Sequence, residues 1–174
     1  APLADRPTTE VTVTVDGERV TREVEPRLKL SDFLRGAGRK SVRVGCEHGV
    51  CGACTVLLDG EPVKSCLLYA VQADGLEVET AEGLTEDGSL HPIQEAFHEE
   101  HALQCGFCTS GFVIATKALL SETPDPDRAD VQAGLADNVC RCTGYRNIYR
   151  AVYRAAEAME GEGCRRQQGP TPPR

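Results

Sequence analysis

Apolar and polar positions alternate with two different periods along this chain. Val11–Val15 and Val20–Val24 alternate residue by residue, the pattern of strands with one buried face. Asp16-Gly17 lies between them and suits a two-residue hairpin turn, which needs positive φ at both central positions. Ser31 is placed to cap a short helix over Asp32–Ala37 that offers Phe33 and Leu34 to a core. Thr55–Leu58 predicts another strand, turning at Asp59-Gly60, and Leu76–Thr80 a further one. Together these predict a small mixed sheet crossed by a helix.

Beyond Gly83 the period becomes helical. Ile93, Ala96 and Phe97 share a face, as do Phe112, Val113, Thr116, Leu119 and Leu120. Val131, Leu135 and Val139 form a third stripe, and Ile148, Val152, Ala155 and Met159 a fourth. Four short helices with no strand between them predict a bundle, with Pro124-Asp125-Pro126 separating the second from the third. The expected organisation is a flexible N-terminus over 1–9, a sheet domain over 10–83, a helical domain over 84–160 and a disordered Gly-, Gln-, Pro- and Arg-rich tail over 161–174.

Composition narrows the function. The 174 residues carry a formal net charge of −8 with no basic block, so nucleic acid is excluded as an expected partner. Ala1–Glu10 has no apolar h-region, and no stretch approaches the ~20 apolar residues of a transmembrane segment. A soluble, cytoplasmic protein is expected. Two domains of roughly 80 residues would each bury little apolar surface, and bound metal is a usual remedy.

Nine cysteines supply that possibility. Cys46, Cys51, Cys54 and Cys66 read C-x4-C-x2-C-x11-C, the plant-type arrangement for a [2Fe–2S] cluster. Gly45, Gly49 and Gly52 interleave these residues, where positive φ and close backbone approach bring N–H groups to sulfur. Cys105, Cys108, Cys140 and Cys142 read C-x2-C-x31-C-x-C. Cys108 precedes a helix starting near Thr109 and Cys140-Arg141-Cys142 precedes one starting near Arg146. Two helix N-termini could thus face one anionic group, aided by the charges of Arg141 and Arg146. By spacing alone the second set also suits tetrahedral zinc. Disulfides fit a cytoplasmic chain poorly, and Cys164 is expected to be a free thiol.

The string Gly45-Cys46-Glu47-His48-Gly49-Val50-Cys51-Gly52-Ala53-Cys54-Thr55-Val56 resembles the first-cluster motif of molybdenum hydroxylases of the xanthine oxidase family. Gln104-Cys105-Gly106-Phe107-Cys108-Thr109 and Asn138-Val139-Cys140-Arg141-Cys142-Thr143-Gly144-Tyr145 resemble that family's second-cluster motifs. The likeness extends over residues 10–160, in the same order and with the same separations. It implies an α+β chain with an N-terminal β-grasp, ferredoxin-like [2Fe–2S] domain over 10–83 and a C-terminal four-helix-bundle [2Fe–2S] domain over 84–160. Cys46, Cys51, Cys54 and Cys66 would hold the first cluster, and Cys105, Cys108, Cys140 and Cys142 the second. Such a chain is the small, electron-transfer subunit of a molybdenum-dependent oxidoreductase and is not catalytic alone. A large subunit would carry a molybdenum–pterin cofactor near Gln104 and Cys142, and a medium subunit FAD, in a dimer of heterotrimers. A freestanding two-cluster ferredoxin and a zinc-stabilised interaction module are the competing readings.

Two departures from the family pattern stand out. Ser110 occupies a position where many relatives have proline, a mild change in a first helical turn. Arg39–Val44 lacks the usual Thr-Gly approach to the first cysteine, which points to partner-subunit contacts. His48, His91, His98 and His101 read as loop or surface residues, and Glu95, Glu99 and Glu100 as a solvated helix face. No nucleotide-binding loop or nucleophile–base pair is present.

Overall fold

The computed structural model describes residues 6–85 and 87–167, with side chains to residue 160. Strand β1 (Thr9–Val15) buries Val11, Val13 and Val15 and turns their threonine neighbours outward, as a pleated strand must. It pairs antiparallel with β2 (Glu18–Val24) through Asp16 and Gly17, whose φ values of 51° and 78° are those of the predicted tight turn. The second Asp-Gly pair behaves the same way: Asp59 and Gly60 (φ 48° and 88°) join β3 (Thr55–Leu58) to β4 (Glu61–Lys64). Strand β5 (Glu77–Glu79) lies in the middle, parallel to β1 and antiparallel to β3, giving the order β2-β1-β5-β3-β4.

Helix α1 (Leu30–Gly36) covers this sheet and fully buries Leu30, Phe33 and Leu34, each contributing roughly 1.5–3 kcal/mol. Ser31 does not cap it. The helix begins one residue before Ser31, at Leu30 after Lys29, and Ser31 is buried in its first turn with its N–H donated to the Ser65 carbonyl (3.2 Å).

The C-terminal half consists of α2 (Pro92–Glu99), α3 (Thr109–Glu122), α4 (Arg128–Gly134) and α5 (Arg146–Gln167). His91 caps α2, its Nδ1 accepting the Ile93 N–H (3.2 Å). In α4, Asp127 and Asp130 accept each other's backbone N–H at 2.9 Å. The third stripe breaks early. Helix α4 ends at Gly134, so Leu135 is buried at its C-cap while Val139 lies beyond it, 47% exposed. Helix α5 continues to Gln167, into the segment expected to be disordered; residues 168–174, and the side chain of Cys164, lie outside the described residues. Glu99 and Glu100 are not a free acidic face. They pair with Arg154 (2.5 Å) and Arg150 (2.9 Å), clamping α2 to α5.

Helix α3 is buried on most of its circumference, with Gly111 to Thr116 all inside, because it packs on α2 and α4 on one side and β3 on the other. Leu57 of β3 belongs to the helical core. The two halves therefore share a packed interface, reinforced by a Lys117–Glu79 ion pair.

Candidate metal centres

The approach to Cys46 is held by the chain itself. Arg39 sits 2.8 Å from Asp16 and 2.9 Å from Glu18, and Arg35 donates to the Val42 carbonyl (2.8 Å). The Ser41 N–H donates to Glu82 (2.6 Å), and its carbonyl accepts the Ser110 hydroxyl from α3 (2.6 Å). The unusual Arg39–Val44 sequence thus makes contacts of its own within the chain, while Lys40 and Arg43 remain exposed. Ser110 also does more than replace a proline: its hydroxyl ties the helical domain to the first cysteine loop, a bond that proline lacks the group to make.

From Cys46 onward the loop winds through positive φ at Glu47 (59°), Gly49 (84°) and Gly52 (70°). Gly45 is not among them; close approach explains it instead, since a Cβ there would lie 3.2 Å from the Phe107 ring and 3.3 Å from Cys51 Sγ. This winding turns backbone N–H groups toward sulfur. The Cys51 N–H donates to Cys46 Sγ at 3.4 Å. The His48 amide, then that of Cys51, lower the Cys46 thiol to about 6. The His48 ring lies against the Cys46 carbonyl, as a loop residue. Burial, and next the neighbouring Cys54, push the Cys66 thiol up to about 11.

The second set is built from two loops. Cys108 is the residue before α3, and burial followed by the neighbouring Cys140 pushes it up to about 12. Burial also acts to raise Cys140, but the Thr143 hydroxyl and amide, donating to its sulfur at 3.1 and 3.4 Å, hold it below the ordinary value. The Tyr145 hydroxyl accepts the Cys140 N–H (2.9 Å), while its ring packs on Phe112 and Tyr149. Cys105 and Cys142 are exposed, and their contact raises the Cys142 thiol. Gln104, beside them, is exposed, as are Arg141 and Arg146.

The eight thiols are free and fall into neighbouring pairs: Cys46 with Cys51, Cys54 with Cys66, Cys105 with Cys142, and Cys108 with Cys140. Among the described residues no three His, Cys, Asp or Glu side chains converge as ligands of a single ion would. Two pairs per loop system suit a two-iron cluster, in which each iron takes two protein thiolates. N–H and O–H donors to sulfur suit its negative charge. Ligation requires thiolates, so Cys66 and Cys108 must lose protons to bind iron and cluster retention weakens as pH falls. Thr143 and Tyr145 stand inside the motif strings, yet no hydrophobic period or ligand spacing marked their roles.

The two halves each match a family of iron–sulfur domains. Residues 13–85 match the 2Fe-2S iron-sulfur cluster binding domain and residues 80–153 the [2Fe-2S] binding domain. Fold and thiol sets together define a protein with two 2Fe–2S binding domains. Among its relatives is subunit beta of the 6-hydroxypseudooxynicotine dehydrogenase complex of Paenarthrobacter nicotinovorans, 51% identical over 82% of this chain and 90% of that subunit. The xanthine dehydrogenase iron-sulfur-binding subunit of Escherichia coli O157:H7 is 42% identical over 83% of this chain and 92% of its own length. The structure also resembles a chain of quinoline 2-oxidoreductase from Pseudomonas putida 86, with TM-score 0.85 and 43% identity over 88% of this chain and 97% of that one. The chain belongs to the iron–sulfur small subunits of the xanthine oxidase family of molybdenum hydroxylases.

Proposed function

We propose that this chain is the electron-transfer subunit of a heteromeric molybdenum hydroxylase. It would take electrons at its second thiol set from a molybdenum–pterin centre in a large subunit and deliver them from its first set to FAD in a medium subunit. Cys46, Cys51, Cys54 and Cys66 would hold one [2Fe–2S] cluster and Cys105, Cys108, Cys140 and Cys142 the other. When bound, these clusters supply one-electron redox chemistry to the complex. The domain limits of 10–83 and 84–160, assembly as a dimer of heterotrimers and a cytoplasmic location belong to the same reading; no helix among the described residues is long and apolar enough to cross a membrane.

The way the chain joins and exposes its two thiol sets supports this reading. The Val139 N–H donates to the Cys51 carbonyl at 3.0 Å, so a single hydrogen bond connects a first-set residue to the residue preceding Cys140. Cys105, Cys142 and Gln104 open at the surface, where a partner's cofactor could meet them. The Gln104 amide offers both donor and acceptor to a pterin edge. Exposed Leu103, Phe107 and Val139 in the same loops fit a protein interface better than a freestanding carrier. Relatives of this chain bear names with different substrates, which fits substrate choice residing in the large subunit.

Gln104→Ala in the complete complex is expected to leave both clusters assembled, with unchanged EPR signals, while slowing their reduction by substrate. Direct reduction by dithionite should be unaffected. Unchanged substrate-driven reduction would remove Gln104 from the pterin contact.

A further inference from the structure

Three segments converge where the two halves meet. Gly52 lies between Cys51 and Cys54, Gly111 is in the first turn of α3, and Asn138 lies two residues before Cys140. Asn138 is 2% exposed, and its Nδ2 donates to the Gly52 carbonyl at 3.0 Å across 86 positions of sequence. The space admits no added atoms: a Cβ on Gly52 would lie 2.4 Å from the Asp137 carbonyl oxygen, and one on Gly111 would lie 2.1 Å from that of Gly52. Asn138 Oδ1 is buried with no hydrogen-bond partner. An amide kept there despite an unsatisfied acceptor gives up stability for the one bond it makes. That bond spans the loops of two different thiol sets.

We infer that Asn138 is a positioning residue for inter-cluster electron transfer, its amide fixing the first-set loop against the second-set loop and so setting the separation of the two redox centres. The inference rests on the electron-transfer reading above. The backbone bond from Val139 to Cys51 follows directly in sequence, so a slip of Asn138 off Gly52 would lengthen that bond as well. Neither cysteine set needs Asn138 as a ligand, which separates its role from cluster assembly.

Two variants that remove the tether with different bulk test this in the holo complex. Asn138→Leu keeps the volume without a donor; Asn138→Ser adds no bulk, and its hydroxyl is too short to reach Gly52. The readout is EPR of the doubly reduced protein, because spin–spin splitting between two paramagnets falls with the cube of their distance. Each variant is expected to keep the wild-type g-values of each centre, read in the state in which that centre alone is reduced. Loss or broadening of the splitting, and a slower electron exchange between centres by flash reduction, are expected together. If one variant loses a cluster, the other decides. Unchanged splitting and exchange in a variant holding both clusters would overturn the inference. So would loss of a cluster in both, since Asn138 would then build a loop rather than space two finished ones. Wild-type protein without two iron–sulfur signals would instead sink the functional reading itself.

Discussion

Cys108→Ser is expected to abolish one of two [2Fe–2S] EPR signals and to halve the iron content, leaving the other signal intact. Cys108 is the half-buried thiol at the start of α3, adjacent to Cys140 and pushed up to about 12 by burial. A serine hydroxyl there ionises far less readily still, so it cannot replace the thiolate. Ligation energy available only in the folded state is folding energy, so loss of the second centre also weakens the helical half, where Phe112 and Tyr145 pack beside the ligand loops. The sheet domain has its own core of Val11, Val13, Leu30, Phe33, Leu34 and Val56, and keeps the first centre. EPR of the reduced variant, with metal analysis, checks this. Loss of both signals would mean that the eight thiols do not divide into these two sets.

Gly111→Ala, a change that ordinarily strengthens a helix by about 1 kcal/mol, is expected to destabilise this one. The added methyl would stand 2.1 Å from the Gly52 carbonyl oxygen, a backbone atom in the first cysteine loop that cannot swing aside. Overpacking of this kind costs roughly 1–3 kcal/mol, and more than the helix gain once the carbonyl must move. A fall in Tm of about 5 °C is the expected outcome for a chain of this size. Gly134→Ala is the matched control. Its nearest neighbours would be side-chain atoms of Leu119 at 3.0–3.3 Å rather than a fixed backbone oxygen, so the loss of stability should be much smaller than for Gly111→Ala. Thermal unfolding of both variants decides: equal effects would mean that the tight contact between the halves does not govern the interface.

The sheet was legible because both hairpins rest on local chemistry, Asp-Gly at the turn with alternating valines beside the first and a short apolar run beside the second. The helices were legible in number and place but not at their ends. Val139 matched the period of α4 by coincidence, because the chain leaves the helix after Gly134 to bring Asn138 and Cys140 toward the other half. The acidic run on α2 read as solvated because its arginine partners lie some fifty residues later on α5. Each cysteine set was recognisable from spacing and motif, since those constraints lie along the chain. The contacts that position one set against the other were not. Ser110 with Ser41, Asn138 with Gly52, and Val139 with Cys51 join residues far apart in sequence, and nothing in a local pattern announces them.

On the proposed function, eight thiols hold two two-iron clusters. Iron, acid-labile sulfide and zinc determined per chain on anaerobically purified complex test it most directly, read with EPR after stepwise reduction. Iron and sulfide in equal amounts, two of each for every cluster, and two distinct signals are expected. A colourless chain with stoichiometric zinc, or one with iron and a single signal, would contradict this reading.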